Sequence, residues 1–199
     1  MSAPERPTAR AHRELAEVIR PGDLAIDATA GNGHDTVFLA EQVGESGRVI
    51  AYDIQAEAIA STRSRLEAVG LEKRVTLIQG SHARLSRDVD IGSVAAVVFN
   101  LGYLPGGDHA VITLREETLS ATRQALDALR AGGLLAMVCY PGHAGGDEES
   151  EAVLAWVRDL DASLYDVEVA RREGTLRPAP FLILVRKKVC PQSAVINLA

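Results

Sequence analysis

Cysteine is scarce in this 199-residue chain: Cys139 and Cys190 are the only two. Two thiols make neither a disulfide framework nor a four-ligand zinc site, so no metal is expected. Also missing is any apolar run long enough to span a bilayer, so no membrane partner is expected. The opening residues, Met1-Ser-Ala-Pro-Glu-Arg-Pro7, carry no apolar h-region. No signal peptide is expected, and a cytoplasmic location follows by default. A basic excess is lacking as well, with 21 Lys and Arg against 27 Asp and Glu and a net charge of −6. Nucleic-acid binding draws heavily on phosphate neutralisation, so this balance counts against such a partner unless a local patch supplies it. Two groups qualify: Arg6, Arg10 and Arg13 early, and Arg171, Arg172, Arg177, Arg186, Lys187 and Lys188 late. Ordinary solvated surface charge is the alternative for both.

What is present is an ordinary globular composition, 47% hydrophobic and 24% charged. It suits one domain over 1–199, with loose ends at 1–8 and 188–199. No repeat, low-complexity segment or second domain is visible. Residues 9–19 read as an amphipathic helix stopped by Pro21-Gly22. Leu24–Ala28 is the first strand, and Asp35 to Val43 a helix. Arg48–Tyr52 is the second strand, ending at Asp53. A helix follows with Ile59, Leu66 and Val69 inward and Gly70 as its stop. Val75–Gln79 and Val94–Asn100 are strands three and four. Thr113-Leu-Arg-Glu116 has capping-box spacing and opens a helix to Arg130, which Gly132-Gly133 breaks. Leu134–Tyr140 is the fifth strand, and a helix runs from Asp147 to Leu160. Tyr165–Ala170 and Phe181–Lys187 follow with no helix between them. The expected fold is α/β, a seven-stranded, mostly parallel sheet with an antiparallel last strand. That is the Rossmann-like architecture of the class I S-adenosylmethionine-dependent methyltransferases.

The stretch Leu24-Ala-Ile-Asp-Ala-Thr-Ala-Gly-Asn-Gly-His-Asp35 is a strand, a glycine turn and a helix start. Such a turn lets a ligand approach the backbone. The dinucleotide fingerprint needs a third glycine and a positive field for pyrophosphate. Gly31-Asn32-Gly33-His34-Asp35-Thr36 lacks the glycine and adds an acid. A phosphate-free cofactor with a cationic amino group, S-adenosyl-L-methionine, suits it better, with Asp27 or Asp35 meeting the cation. Asp53 is placed to accept both ribose hydroxyls or to N-cap the next helix. Gln55 lies in reach of ribose or adenine. Ser81 and His82, after the third strand, are candidates at adenine, with a capped helix start as the alternative.

The fourth strand runs into Asn100-Leu-Gly-Tyr103-Leu-Pro-Gly-Gly-Asp108. Enzymes methylating exocyclic amines of bases carry Asn/Asp-Pro-Pro-Tyr/Phe here. Asn100 and Tyr103 match that pattern and the prolines do not. A structural loop is the other reading. Tyr140-Pro-Gly-His143 follows the fifth strand. Asp108 and His143 are the obvious proton acceptors beside a substrate, although a lone histidine is often incidental. Cys139 reads as buried core.

Together, Asp27-Ala-Thr-Ala-Gly-Asn-Gly-His-Asp-Thr36, Asp53-Ile-Gln55, Gly80-Ser-His82, Asn100–Asp108 and Tyr140-x-Gly-His143 resemble the bacterial MnmM (YtqB-like) methyltransferases, long labelled rRNA methylases. The resemblance spans roughly residues 10–187. It implies methyl transfer to the 5-aminomethyl group of (2-thio)uridine 34 in the tRNA anticodon loop, giving 5-methylaminomethyl uridine. In that reading Asn100 and Asp108 hold and deprotonate the amine and Tyr103 stacks on the uracil. The late basic cluster meets phosphates, completed by the second subunit of a homodimer. Two features depart from the family: Arg177-Pro-Ala-Pro-Phe181 lacks adjacent prolines, and the tail after Lys188 is extra. A small-molecule N- or O-methyltransferase is the alternative that the acidity favours and the Asn-x-x-Tyr loop opposes. A non-catalytic RNA- or cofactor-binding module is a third reading, opposed by three intact cofactor stretches.

Overall fold

A computed structural model describes residues 5–101, 115–142, 146–171 and 178–189. The elements in order are α1 (Pro7–Val18), β1 (Leu24–Asp27), α2 (His34–Gln42), β2 (Arg48–Asp53), α3 (Ala56–Val69), β3 (Val75–Gln79) and β4 (Val94–Leu101). There follow α4 (Arg115–Ala128), β5 (Leu129–Cys139), α5 (Gly146–Arg158), β6 (Tyr165–Ala170) and β7 (Phe181–Lys187). One seven-stranded sheet has the order β3-β2-β1-β4-β5-β7-β6. Strands β1 to β5 pair in parallel, and β7 runs antiparallel to both neighbours. The expected architecture is therefore the observed one.

Alternation along the strands feeds two cores. Ile26, Val97, Phe99, Leu135 and Met137 point to the layer containing Ala121 and Ala125 of α4 and Val153 and Val157 of α5. Ala25, Ala96, Val98, Ala136 and Val138 point to the opposite layer, with Leu15 of α1, Leu39 of α2 and Leu66 of α3. Strand β4 is buried continuously from Val94 to Phe99, as suits a central strand covered on both faces.

Helix α1 starts at Pro7, whose fixed φ suits the first helical turn, so residues 7 and 8 are helical rather than loose. Its buried stripe is Ala11, Leu15 and Val18. At the other end, Lys188 N–H donates to Leu164 O (2.8 Å), which ties that residue down. Gly70 ends α3 in the left-handed conformation, as expected (φ 71°). Val69, expected inward, is 53% exposed, at the last residue of α3.

The largest difference from expectation is at β5. The sequence predicts a helix break at Gly132-Gly133 with the strand starting at Leu134. The strand instead begins at Leu129 and contains both glycines. Its pairing slips, from Val94↔Leu129 to Ala96↔Leu134, so several residues of β5 bulge opposite one of β4. Gly132 has φ 77°, and a Cβ on Gly133 would lie 3.0 Å from Ala95 O. The glycines permit a bulge. The helix ends earlier, where Lys187 Nζ donates to the carbonyls of Leu126 (3.0 Å) and Leu129 (2.8 Å). An ammonium there satisfies terminal acceptors and complements the helix dipole.

Candidate active site

The chain order reverses direction between β1 and β4, and ligands in such sheets bind in the crevice outside the strand ends at that point. Asp27 ends β1, Asp53 ends β2 and Asn100 lies one residue before the end of β4. The glycine turn crosses between β1 and α2. Gly31 and Gly33 have φ of 53° and 80°, and a Cβ on Gly33 would sit 2.9 Å from Thr62 Cα. Glycine is required there on both counts. Helix α3 fastens the turn from outside: Thr62 Oγ1 donates to Gly31 O (3.0 Å) and Arg65 Nε to Asn32 O (2.6 Å). The Asn32 side chain also faces α3, where Ser61 Oγ donates to its Oδ1 (3.4 Å).

Asp53 spans the turn and the next helix. Its Oδ2 accepts from Gly31 N–H and its Oδ1 from Gln55 N–H, both at 2.9 Å. It does not N-cap α3, because Gln55 occupies that position without a side-chain bond. Asp27 is fully buried. It accepts from Thr29 N–H (3.1 Å) and the Thr36 hydroxyl (2.6 Å). Burial, and then the neighbouring Asp35, push its carboxyl up to about 7. Of the two acids proposed to meet a cation, Asp27 is thus enclosed and Asp35 is the one that reaches the crevice.

Asp35 opens a different group. Asn100 Nδ2–H donates to its Oδ2, while His12 Nε2–H donates to its Oδ1 (2.5 Å). Asn100 Oδ1 accepts from the Tyr140 hydroxyl (3.3 Å), whose own pKa is raised by burial. The Asn100 backbone N–H donates to Thr29 Oγ1 (2.7 Å), tying β4 to the second residue after Asp27. His12 was not singled out from sequence, and it enters from α1.

Ser81 and His82 are turned to structural work. Ser81 Oγ accepts from Ala83 N–H (3.1 Å) and donates to Glu117 Oε2 (2.8 Å), so the capped-start alternative is what forms. His82 is buried, donates from Nδ1 to Ala28 O (2.8 Å) and meets Phe99 edge-on. Burial lowers its pKa, and its Nε2 is without a partner among the described residues. Cys139 is buried in the core as expected, its thiol pushed up to about 12 by burial. Tyr103, Asp108 and His143 lie outside the described residues, as do Thr113, Arg172, Arg177 and Cys190.

The described members of the late basic cluster do not form one patch. Phe181 pairs with Cys139 at the crevice end of β5, whereas Arg186 pairs with Leu134 towards the opposite end. Lys187 caps α4, and Lys188 bonds Ala162 O and Asp166. Arg171 alone of the described late residues stays near the crevice, stacked 4.2 Å over the Phe181 ring. It shares a cleft of about 290 Å³ with Arg10 and Arg13 of α1. The early and late groups thus meet through Arg10, Arg13 and Arg171.

The sheet order and the glycine turn at its reversal point define the class, a class I S-adenosylmethionine-dependent methyltransferase fold. The family model described as "Putative rRNA methylase" matches residues 49–186. The chain belongs to this family. It is 41% identical over 194 residues to a "tRNA (mnm(5)s(2)U34)-methyltransferase, chloroplastic" of Arabidopsis thaliana, covering 92% of this chain and 70% of the relative. A "putative rRNA-methylase" structure from Clostridium thermocellum superposes with a TM-score of 0.90 at 38% identity, over 94% of this chain and all of that one. SMU.1697c of Streptococcus mutans, a "putative methyltransferase" in complex with SAH, gives 0.85 at 37%, over 93% and 99%.

Proposed function

We propose that this enzyme transfers a methyl group from S-adenosylmethionine to the 5-aminomethyl group of (2-thio)uridine at tRNA wobble position 34, giving the 5-methylaminomethyl product. The observation that carries the reading is Asn100 at the end of β4, its amide held between Asp35 and Tyr140. The Arabidopsis relative's name supports the same acceptor.

The residues present fit the cofactor. Three carboxylates, Asp27, Asp35 and Asp53, gather around the glycine turn, and burial with mutual repulsion already keeps the Asp27 carboxyl up near 7. Such a site favours a cationic nucleoside without phosphate. Asp53 would hold the ribose hydroxyls, Gln55 and the turn backbone the rest of the nucleoside, and Asp35 the cationic side. The cofactor supplies a methyl group on a positively charged sulfur.

The chain's own work is alignment and amine handling. An alkylamine attacks only when its lone pair is free, so the arriving ammonium must shed a proton. Asn100 Oδ1 accepts one amine N–H and directs the lone pair, and the nearby acid stabilises the positive charge that returns when the new N–C bond forms. Asp108 and His143 remain candidate proton acceptors, and Tyr103 a stacking partner for the uracil. Arg171 would meet phosphates beside the crevice, joined by Arg10 and Arg13 where phosphate displaces their pairs with Glu168, Glu14 and Glu5. That is a small footprint for tRNA, and a homodimer would double it. Among the described residues no helix is long and apolar enough to cross a membrane. The proposed site of action is the cytoplasm.

Nucleoside mass spectrometry of tRNA carrying the aminomethyl precursor, incubated with cofactor and enzyme, tests the reading. A gain of one methyl at that nucleoside supports it; methylation confined to free small amines would move the assignment to the alternative class.

A further inference from the structure

We propose that His12 is a positioning residue that fixes which end of the Asn100 amide faces the acceptor amine. The inference rests on the reading of Asn100 as the amine acceptor. The two ends of an asparagine amide are nearly the same shape, and only their partners decide the orientation. An inverted Asn100 would offer N–H donors to an amine that itself brings N–H donors. The carbonyl must therefore be directed to the substrate.

Asp35 sets that direction, because an ionised carboxylate only accepts and so selects the NH2 end of Asn100. Asp35 in turn needs a second anchor. Its Oδ1 accepts from His12 Nε2–H at 2.5 Å, leaving Oδ2 for Asn100. The imidazole cannot swing freely, since it lies flat on Phe38, with ring centroids 3.9 Å apart and planes within 1°. Phe38 is three residues after Asp35 on α2, so one helix supplies both the acid and the surface that holds the histidine. His12 itself lies on α1, beside the buried Ala11. Docking of α1 on the sheet thus completes a chain of contacts from His12 through Asp35 to Asn100. Tyr140 closes it by donating to the Asn100 oxygen until a substrate N–H replaces it.

Two substitutions separate this role from packing. His12→Phe keeps the ring stack on Phe38 and removes the donor. His12→Gln restores an N–H close to the position of Nε2. With aminomethyl-bearing tRNA, His12→Phe is expected to lower kcat about 10–100-fold, the range typical when a partner orienting a working side chain is lost. At saturating cofactor, KM for tRNA should stay near wild type, and His12→Gln should recover most of kcat. Wild-type kcat in His12→Phe, or equal loss in both variants, would overturn the proposal. A second measurement needs no substrate. In 15N-labelled protein, the Asn100 side-chain NH2 signals, identified by their disappearance in Asn100→Asp, should move in His12→Phe and return in His12→Gln. Unmoved signals would overturn the positioning role even if the acceptor proves not to be tRNA. Moved signals with a wild-type enzyme inactive on tRNA would instead retain the positioning role and reject the functional reading.

Discussion

The two sides of the β1/β4 reversal point are built differently. On the β2 side, Asp27 and Asp53 accept from backbone donors of Thr29, Gly31 and Gln55. On the β4 side, Asn100 is held by Asp35 and Tyr140, and Asp35 by His12 from the first helix. The first side is a cradle set by the backbone conformations of Gly31 and Gly33 and fastened by α3. The second is an assembly of side chains that exists only when α1, α2, β4 and β5 have packed. In the proposed reading the cofactor's nucleoside is met by the first device and the acceptor by the assembled one, with Asp35 shared between them. Substitutions on the two sides should therefore separate binding from turnover.

Asn100→Ala should show the largest effect. It removes the acceptor for the amine, and methyl transfer should fall by roughly 100-fold or more, with cofactor affinity within about 3-fold of wild type. Parallel losses in kcat and cofactor binding would merge the two sides. Asp53→Ala is the complement. It deletes the proposed ribose acceptor and the partner of Gly31 N–H, so the calorimetric cofactor Kd should rise about 10–100-fold, equivalent to about 1.5–3 kcal/mol for a charged hydrogen-bonding group. Turnover at saturating cofactor should be largely retained. Unchanged affinity would remove Asp53 from the ribose.

The third test concerns the buried acid. Asp27 has its folded pKa raised from 3.8 to about 7. Between these values the folded state binds the proton more than the unfolded state does. The stabilising effect of that proton is complete below about pH 4 and is lost as pH rises through about 7. Asp27→Asn keeps the shape and cannot ionise. Without ligand, its stability relative to wild type should improve by roughly 1–3 kcal/mol between pH 5 and pH 8, read by urea denaturation. Its cofactor affinity at pH 8 should drop. A stability difference that is flat with pH would show that Asp27 titrates normally.

The smallest effect is expected far from the site. Lys187→Met removes the ammonium cap of α4 and should cost about 1–2 kcal/mol in stability with unchanged kcat and tRNA affinity. Weakened tRNA binding would return Lys187 to the phosphate-binding surface, from which its bonds to Leu126 and Leu129 carbonyls remove it.

How much of this was legible in the sequence follows the same division. Apolar runs ending in acids and a glycine pair between strand and helix are contiguous signals, and they located Asp27, Asp53 and the turn. Asn100 was readable because it follows the continuous apolar run of β4. His12 was not, because a histidine at the border of an amphipathic stripe is common, and only the docking of α1 brings it to Asp35. The bulge in β5 was hidden because Gly132-Gly133 stops a helix as readily as it lets a strand bulge, and the deciding contacts, with Ala95 and the neighbouring strand, are remote in sequence. The split among the described members of the late basic cluster follows from strand direction: seven residues of β7 cover about 20 Å, from the crevice end of the strands to the opposite end.

The most direct test of the account is to compare wild type and Asn100→Ala on the same aminomethyl-bearing tRNA, with cofactor saturation verified and the nucleosides analysed by mass spectrometry. The account requires one added methyl at the wobble nucleoside with wild type and almost none with the variant at full cofactor occupancy. Equal methylation by both proteins, or methylation at another nucleoside, would contradict it.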